Sequence, residues 1–239
     1  MPLIYGVNAV TEALKARRVS RLIHERGAGP RVDALVTRAQ ELRIATETLD
    51  RRALDSLTHG GVHQGVAADV QALAAYTVDE LVSSAPGAPL LVVLDGIEDP
   101  QNVGAIIRSA DAAGVDGIIR QARHAAPLDG ATAKVSAGAV QHVRIATVVN
   151  IARTLDELKA LNVWTIGFAD GTDDAYFDVD FTQPTALVFG AEGTGMRRLV
   201  RETCDRVVSI PMAGAVSSLN VSVAAGVALF EVVRQRLRQ

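Results

Sequence analysis

The spacing of apolar positions changes character near residue 90 of this 239-residue chain. From there on, short runs that are apolar at nearly every position alternate with stretches of helical spacing. The runs fall at 90–94, 117–119, 143–148, 163–168, 185–189 and 206–210. Continuous apolar runs suit strands of a parallel sheet covered on both faces. Between them, residues 103–113, 132–140 and 196–202 read as helices, and Leu155, Leu158 and Leu161 mark another. In a last helix, Val223, Val227, Phe230 and Leu237 share one face. This alternation predicts an open, mostly parallel α/β sheet over residues 90–239.

Residues 1–72 predict a smaller α/β unit. Asn8 is placed to cap a helix through Val10 and Leu14 to about Arg17, and residues 21–24 form a short strand. Val32, Leu35, Val36, Ala39 and Leu42 follow at helical spacing, and residues 44–49 are a second strand. Asp50 caps a short helix to Leu57, and residues 62–70 return as an extended segment. His59 and His63 are four apart, but Gly60 and Gly61 between them disfavour a helical metal pair, and no metal is expected. A polar ligand-facing or structural role is expected for them. Residues 73–89, dense in Pro, Gly and Ser toward their end, read as a linker with one short helix at 78–82.

Composition narrows the picture. Hydrophobic residues make up 49% and aromatic residues 4%, so the core must be built from Ala, Val, Leu and Ile. No apolar run approaches the roughly 20 residues of a membrane span, and the single cysteine, Cys204, fits a reducing, cytoplasmic setting. The net charge of −3 is unevenly spread. Residues 1–72 carry 10 Lys and Arg against 8 Asp and Glu, and the remainder 14 against 19. The N-terminal part is therefore the better candidate for meeting phosphates.

Three loops at the C-terminal ends of predicted strands carry the candidate chemistry, the usual ligand edge of an open α/β sheet. The first, 99–110, places Asn102 at a helix start and Arg108 about two turns on, where an arginine is either anchored by a carboxylate or reaches a ligand phosphate. The second, 189–196, is a glycine-rich turn holding Gly190 and Glu192, and Glu192 is a candidate partner for Arg108. Its Gly-x-x-Gly-x-Gly spacing matches neither the dinucleotide fingerprint nor a P-loop, which disfavours an ordinary Rossmann oxidoreductase. The third is the junction at Ser217, Ser218 and Asn220, where the polar side chains either cap the final helix or serve a ligand.

In their order and separation the three loops resemble the motifs of the SpoU (TrmH-like) branch of the SPOUT RNA 2'-O-ribose methyltransferases. The likeness rests on Asn102-Val-Gly-Ala-Ile-Ile-Arg108, on Leu187-Val-Phe-Gly-Ala-Glu-Gly-Thr-Gly-Met196, and on residues 210–223. Tyr5-Gly6 and Val62-His-Gln-Gly65 resemble the substrate-binding domain that many members carry at the N-terminus. The resemblance implies a C-terminal domain with a deep trefoil knot, a homodimer, and S-adenosylmethionine as methyl donor. It implies that Gly190, Ile210 and Leu219 contact the cofactor, and that Asn102, Arg108, Glu192, Ser218 and Asn220 form the catalytic group. In the mechanism it carries, Arg108 is either the base, helped by a target phosphate because a guanidinium holds its proton to above about pH 12, or the group that stabilises the developing alkoxide; Glu192 orients it, and Ser218 and Asn220 position ribose or phosphate. The nearest subgroup acts on a guanosine of large-subunit (23S) rRNA. The alternatives are another RNA, such as tRNA, methylated by the same fold, or an RNA-binding or ribosome-assembly factor without activity.

Overall fold

The computed structural model describes residues 1–238 and forms two compact units. In chain order the elements are β1 (Leu3–Tyr5), α1 (Val7–Lys15), β2 (Val19–Glu25), α2 (Pro30–Glu41), β3 (Ala45–Leu49), α3 (Arg51–Leu57), β4 (Val66–Val70), α4 (Val78–Ser83), β5 (Leu90–Asp95) and α5 (Pro100–Ala112). There follow β6 (Gly117–Gln121), α6 (Gly130–Val135), β7 (Ile145–Val148), α7 (Ile151–Ala160), β8 (Trp164–Phe168), β9 (Thr185–Gly190), α8 (Arg198–Thr203), β10 (Arg206–Val208) and α9 (Val221–Arg236). Short 3-10 turns lie at Ala139–Gln141 and Tyr176–Asp178.

The first unit holds Met1–Leu73 together with Pro127–His142. Its four-stranded sheet has the order β1-β4-β2-β3, with β2 and β3 parallel and the other pairs antiparallel. Leu22, Ile23, Leu54, Val66 and Ala67 fill its core. Asp50 caps α3, its side chain accepting from the Ala53 amide at 2.8 Å. Asn8, by contrast, lies inside α1 and does not cap it. Gly6, at φ +94°, leads into that helix, and the side chain of Gln64 accepts the free Val7 amide at 3.0 Å. The cap thus comes from 57 residues away, beyond the reach of a local reading.

Residues 127–142, which hydropathy alone groups with the later sheet, pack with this first unit. Gly138, at φ +91°, sits against α1, where a Cβ would stand 2.5 Å from Glu12 Cβ. His142 Nε2 lies 3.0 Å from Glu12 Oε2, and the Arg18 guanidinium bonds the side chain of Gln141.

The second unit, Ala74–Ala126 and Val143 onward, carries a six-stranded, wholly parallel sheet in the order β10-β8-β9-β5-β6-β7. Its central strands β5 and β9 are buried at every position, as their unbroken apolar runs require. Alternation divides them between two faces. Leu91, Val93, Ile119 and Val188 pack with Leu155 and Leu158 of α7 and Val200 of α8. Each such side chain contributes about 1.5–3 kcal/mol by leaving water. The opposite face is covered by α5 and α9, which pack against each other. In α9 the inward residues are Val221, Ala225, Ala228, Leu229 and Val232. The face read from the sequence as a shared apolar stripe points outward instead, with Val223, Phe230 and Leu237 exposed at 50, 52 and 81%.

Candidate active site

Two neighbouring strands of the second unit end side by side, Asp95 of β5 opposite Gly190 of β9. Beyond Asp95 the chain turns into α5, whose first turn is set by the Asp99 side chain accepting from the Gln101 amide at 3.0 Å and by Pro100 at the first helical position. That geometry buries Asn102, 6% exposed, at the sheet's C-terminal edge. Beyond Gly190 the chain folds back on itself, with Ala191 and Gly195 exchanging backbone hydrogen bonds at 3.1 and 2.8 Å. Only glycine fits at 190, because a Cβ there would overlap the backbone of Gly195 and Met196. The turn brings the Glu192 carboxylate to the Asn102 side chain.

Asn102, Glu192 and Asn220 meet. Asn102 Nδ2 donates to Glu192 Oε2 at 3.0 Å, and Asn220 Nδ2 donates to Asn102 Oδ1 at 2.9 Å and to Glu192 Oε2 at 3.4 Å. Asn220 is also the cap of α9. Its Oδ1 accepts from the Ser222 amide at 2.9 Å and the Ser222 hydroxyl at 2.6 Å. Cap and ligand group, the two alternatives at this junction, are therefore combined in one side chain, with oxygen turned to the helix and nitrogen to the site.

Beside this network opens a pocket of about 570 Å³. Phe168 and Phe189 stack on its wall with centroids 4.9 Å apart, and Ile210, Leu219 and Met196 add apolar surface. The glycine turn and Ser217–Leu219 supply backbone polar groups, so an aromatic ring with a polar rim fits the space. Gly190, Ile210, Leu219, Ser218, Glu192 and Asn220 all line it. Arg108 does not. It lies two turns along α5, exposed, and among the described residues forms no hydrogen bond or ion pair. The Arg108–Glu192 pairing raised by the sequence is absent from the chain: Glu192 is held by two amides instead.

A second tie joins the same two loops. The buried Asp95 carboxylate accepts the Arg197 amide and Arg197 Nε, each at 2.8 Å, with a further guanidinium nitrogen at 2.5 Å. Thus the glycine turn is fastened to the β5–α5 loop at both ends, by Asn102 and by Asp95. The sequence reading missed Asp95, Arg197 and Ser222. A lone carboxylate closing an apolar strand at the ligand edge was the available signal for Asp95. Behind the pocket, burial pushes the Cys204 thiol up to about 12, which keeps it protonated and inert. Among the described residues no cluster of His, Cys, Asp and Glu could hold a metal ion.

Known proteins share this fold and sequence. Residues 89–230 match the SpoU rRNA Methylase family, and residues 3–76 match the RNA 2'-O ribose methyltransferase substrate-binding family. The chain is 47% identical to the 23S rRNA (guanosine-2'-O-)-methyltransferase RlmB of Pseudomonas syringae pv. tomato, over 98% of this chain and 95% of that one. It is 46% identical to the RlmB of Ralstonia nicotianae, over 98% and 96%. Among solved structures, the SpoU methyltransferase AviRb from Streptomyces viridochromogenes, in complex with AdoMet, superposes with a TM-score of 0.84 at 31% identity, covering 99% of this chain and 91% of that one. Matched over most of its length by that family and over nearly all of it by these relatives, the chain belongs to the SpoU rRNA methylase family.

Proposed function

We propose that the protein transfers the methyl group of S-adenosylmethionine to the 2'-hydroxyl of a guanosine in 23S rRNA. The observation that carries this reading is likeness over both units at once to enzymes named for that reaction, with 98% of this chain aligned. The pocket fits the donor. Phe168, Phe189, Ile210 and Leu219 offer apolar surface to an adenine, and the glycine turn leaves backbone groups free for its edge. When bound, S-adenosylmethionine supplies an electrophilic methyl on a cationic sulfur. Gly190, Ile210 and Leu219 hold the cofactor, while Asn102, Glu192, Ser218 and Asn220 orient the ribose and Arg108 meets RNA phosphate.

RNA contact by the first unit is supported by its charge. Arg26, Arg51 and Arg52 follow the C-terminal ends of β2 and β3, and among the described residues none is paired with a carboxylate. Arg51 lines a cleft of about 620 Å³ between the β2–α2 turn, α3 and residues 60–65, and Arg26 and Arg52 adjoin lining residues in sequence. His63 and Gln64 shape that cleft and are themselves engaged: His63 bonds Asp55 and the Gly65 amide, and Gln64 caps α1. The outward apolar stripe Val223, Phe230 and Leu237 supports a homodimer closed through α9. None of the described helices is long and apolar enough to cross a membrane, and work on ribosomal RNA would set the enzyme in the cytoplasm. The reading is tested by incubating the protein with labelled S-adenosylmethionine and unmodified 23S rRNA. Label at a ribose of 23S rRNA supports it, and label in tRNA alone contradicts it.

A further inference from the structure

Resting on the methyltransferase reading, we infer that Asp95, Arg197 and Gln121 are positioning residues for methyl transfer. Together they form a latch that holds the glycine turn in the shape that binds the cofactor. β5 is apolar from Leu90 to Leu94 and then ends in a carboxylate. The Asp95 side chain is wholly buried, 0% exposed, and so has lost its water. A buried ion pair is often no more stabilising than apolar side chains of the same size, because desolvation offsets the attraction. Stability therefore gives little reason for a carboxylate at this position, and what the pair supplies is geometry.

Both oxygens of Asp95 are taken by one residue. Oδ2 accepts the Arg197 amide and Oδ1 accepts Arg197 Nε, each at 2.8 Å, with a terminal guanidinium nitrogen at 2.5 Å. Gln121 closes β6, and with its amide oxygen turned toward Arg197 it accepts the two terminal nitrogens at 3.0 and 2.8 Å. Arg197 is thus held by main chain and side chain at once, from the ends of two neighbouring strands.

The strand register shows what this hold controls. Asp95 stands opposite Gly190, where the turn begins, and its carboxylate keeps the amide of Arg197, just past the turn's end. Every residue from Ala191 to Met196 lines the cofactor pocket. One buried side chain therefore sets both ends of that wall. Asp95, Gln121 and Arg197 do not line the pocket themselves, so they act through the turn and not on the ligand. A turn released from Asp95 would carry Gly190 and Glu192 out of place together, and cofactor and ribose would lose alignment.

The test uses the full-length protein as wild type, Asp95→Asn, Gln121→Ala and a control, Arg198→Ala, which removes the adjacent arginine paired with Glu202. Asp95→Asn keeps the side chain's shape but offers one acceptor oxygen where two are used. It is expected to weaken cofactor binding by calorimetry and to slow single-turnover transfer at saturation by about 10²-fold, the cost of a misplacement of about 1 Å. RNA affinity should not change. Hydrogen exchange is expected to quicken at the Ala191 and Gly195 amides, which close the turn, and not in β5. Gln121→Ala leaves the ion pair in place and should show the same pattern more weakly, while Arg198→Ala behaves as wild type. Adding Arg197→Gln to Asp95→Asn should slow transfer no further, because the two side chains act as one unit.

A folded Asp95→Asn with wild-type cofactor affinity and rate would overturn the proposal. So would faster exchange throughout the sheet in step with a lower melting temperature, which marks a purely structural role. Should Asp95→Asn fail to fold, Gln121→Ala decides, and wild-type affinity and turn exchange in that variant would overturn the proposal. A wild type that binds cofactor but transfers no methyl group would instead overturn the functional reading beneath it.

Discussion

At the scale of single residues, Asn220 does two jobs with opposite ends of one amide, and substitution can separate them. Asn220→Asp keeps an oxygen for the Ser222 amide but removes both donors to Asn102 and Glu192. It is expected to melt close to wild type and to lose most methyl transfer. Asn220→Ala loses the cap as well and should cost about 1 kcal/mol of stability, read from denaturant unfolding. A large stability loss in Asn220→Asp would show that the network, not the cap, holds α9. Cys204 gives a second check. With its thiol raised to about 12, against an ordinary value of 9.0, the native protein should react slowly with a thiol reagent at pH 8 and rapidly once unfolded. The sign for stability follows: between those two values the unfolded chain releases this proton and the native one keeps it, so stability from this group falls as pH rises above about 9. Motif order alone picks out Asn102, Glu192 and Asn220, the three side chains that hydrogen-bond one another in the fold. Their bonding is not, because Asp95, Arg197 and Ser222 become partners only when two loops from distant strands are brought together.

Among the elements, the strands are the most faithfully legible and α9 the least. An all-buried strand such as β5 has a single solution, whereas α9 is apolar nearly all round, so periodicity cannot say which side meets the sheet. Ala225, Ala228 and Leu229 face inward, and Val223 and Phe230 outward. If that outward stripe closes a dimer, Phe230→Glu should yield monomers in sedimentation experiments, with each monomer still folded. A dimer unchanged by the substitution would place the interface elsewhere. The glycine turn makes a stricter prediction. Gly190→Ala forces its Cβ into the backbone of Gly195 and Met196, so the turn must move. A loss of about 1–3 kcal/mol is expected from the overlap, together with weakened cofactor binding by calorimetry. The segment 127–142 escapes a hydropathy reading for a different reason. Its helical spacing does not say which sheet it serves, and the helix read at 132–140 is split into α6 and a 3-10 turn around Gly138, whose close approach to α1 sets the segment's place.

For the whole molecule, the division of labour follows charge. The smaller unit carries unpaired arginines at one end of its sheet, and the larger one carries the pocket and its amide network. Replacing Arg26, Arg51 and Arg52 together by alanine should raise the KM for RNA and lower the slope of log affinity against log salt, by roughly 0.7 to 0.9 for each phosphate left without its arginine. Cofactor affinity should not change. An unaltered slope would remove this edge from the RNA path. Parallel-sheet architecture can be read from hydropathy, but the trefoil knot that the resemblance implies is a matter of threading, which no apolar period encodes. The most direct measurement of the central claim is the position of the transferred methyl group. Unmodified 23S rRNA, treated with the protein and labelled S-adenosylmethionine, should carry label at the 2'-oxygen of one guanosine, and the label should disappear with Glu192→Ala. Label on a base, on tRNA only, or undiminished in that variant would contradict the account.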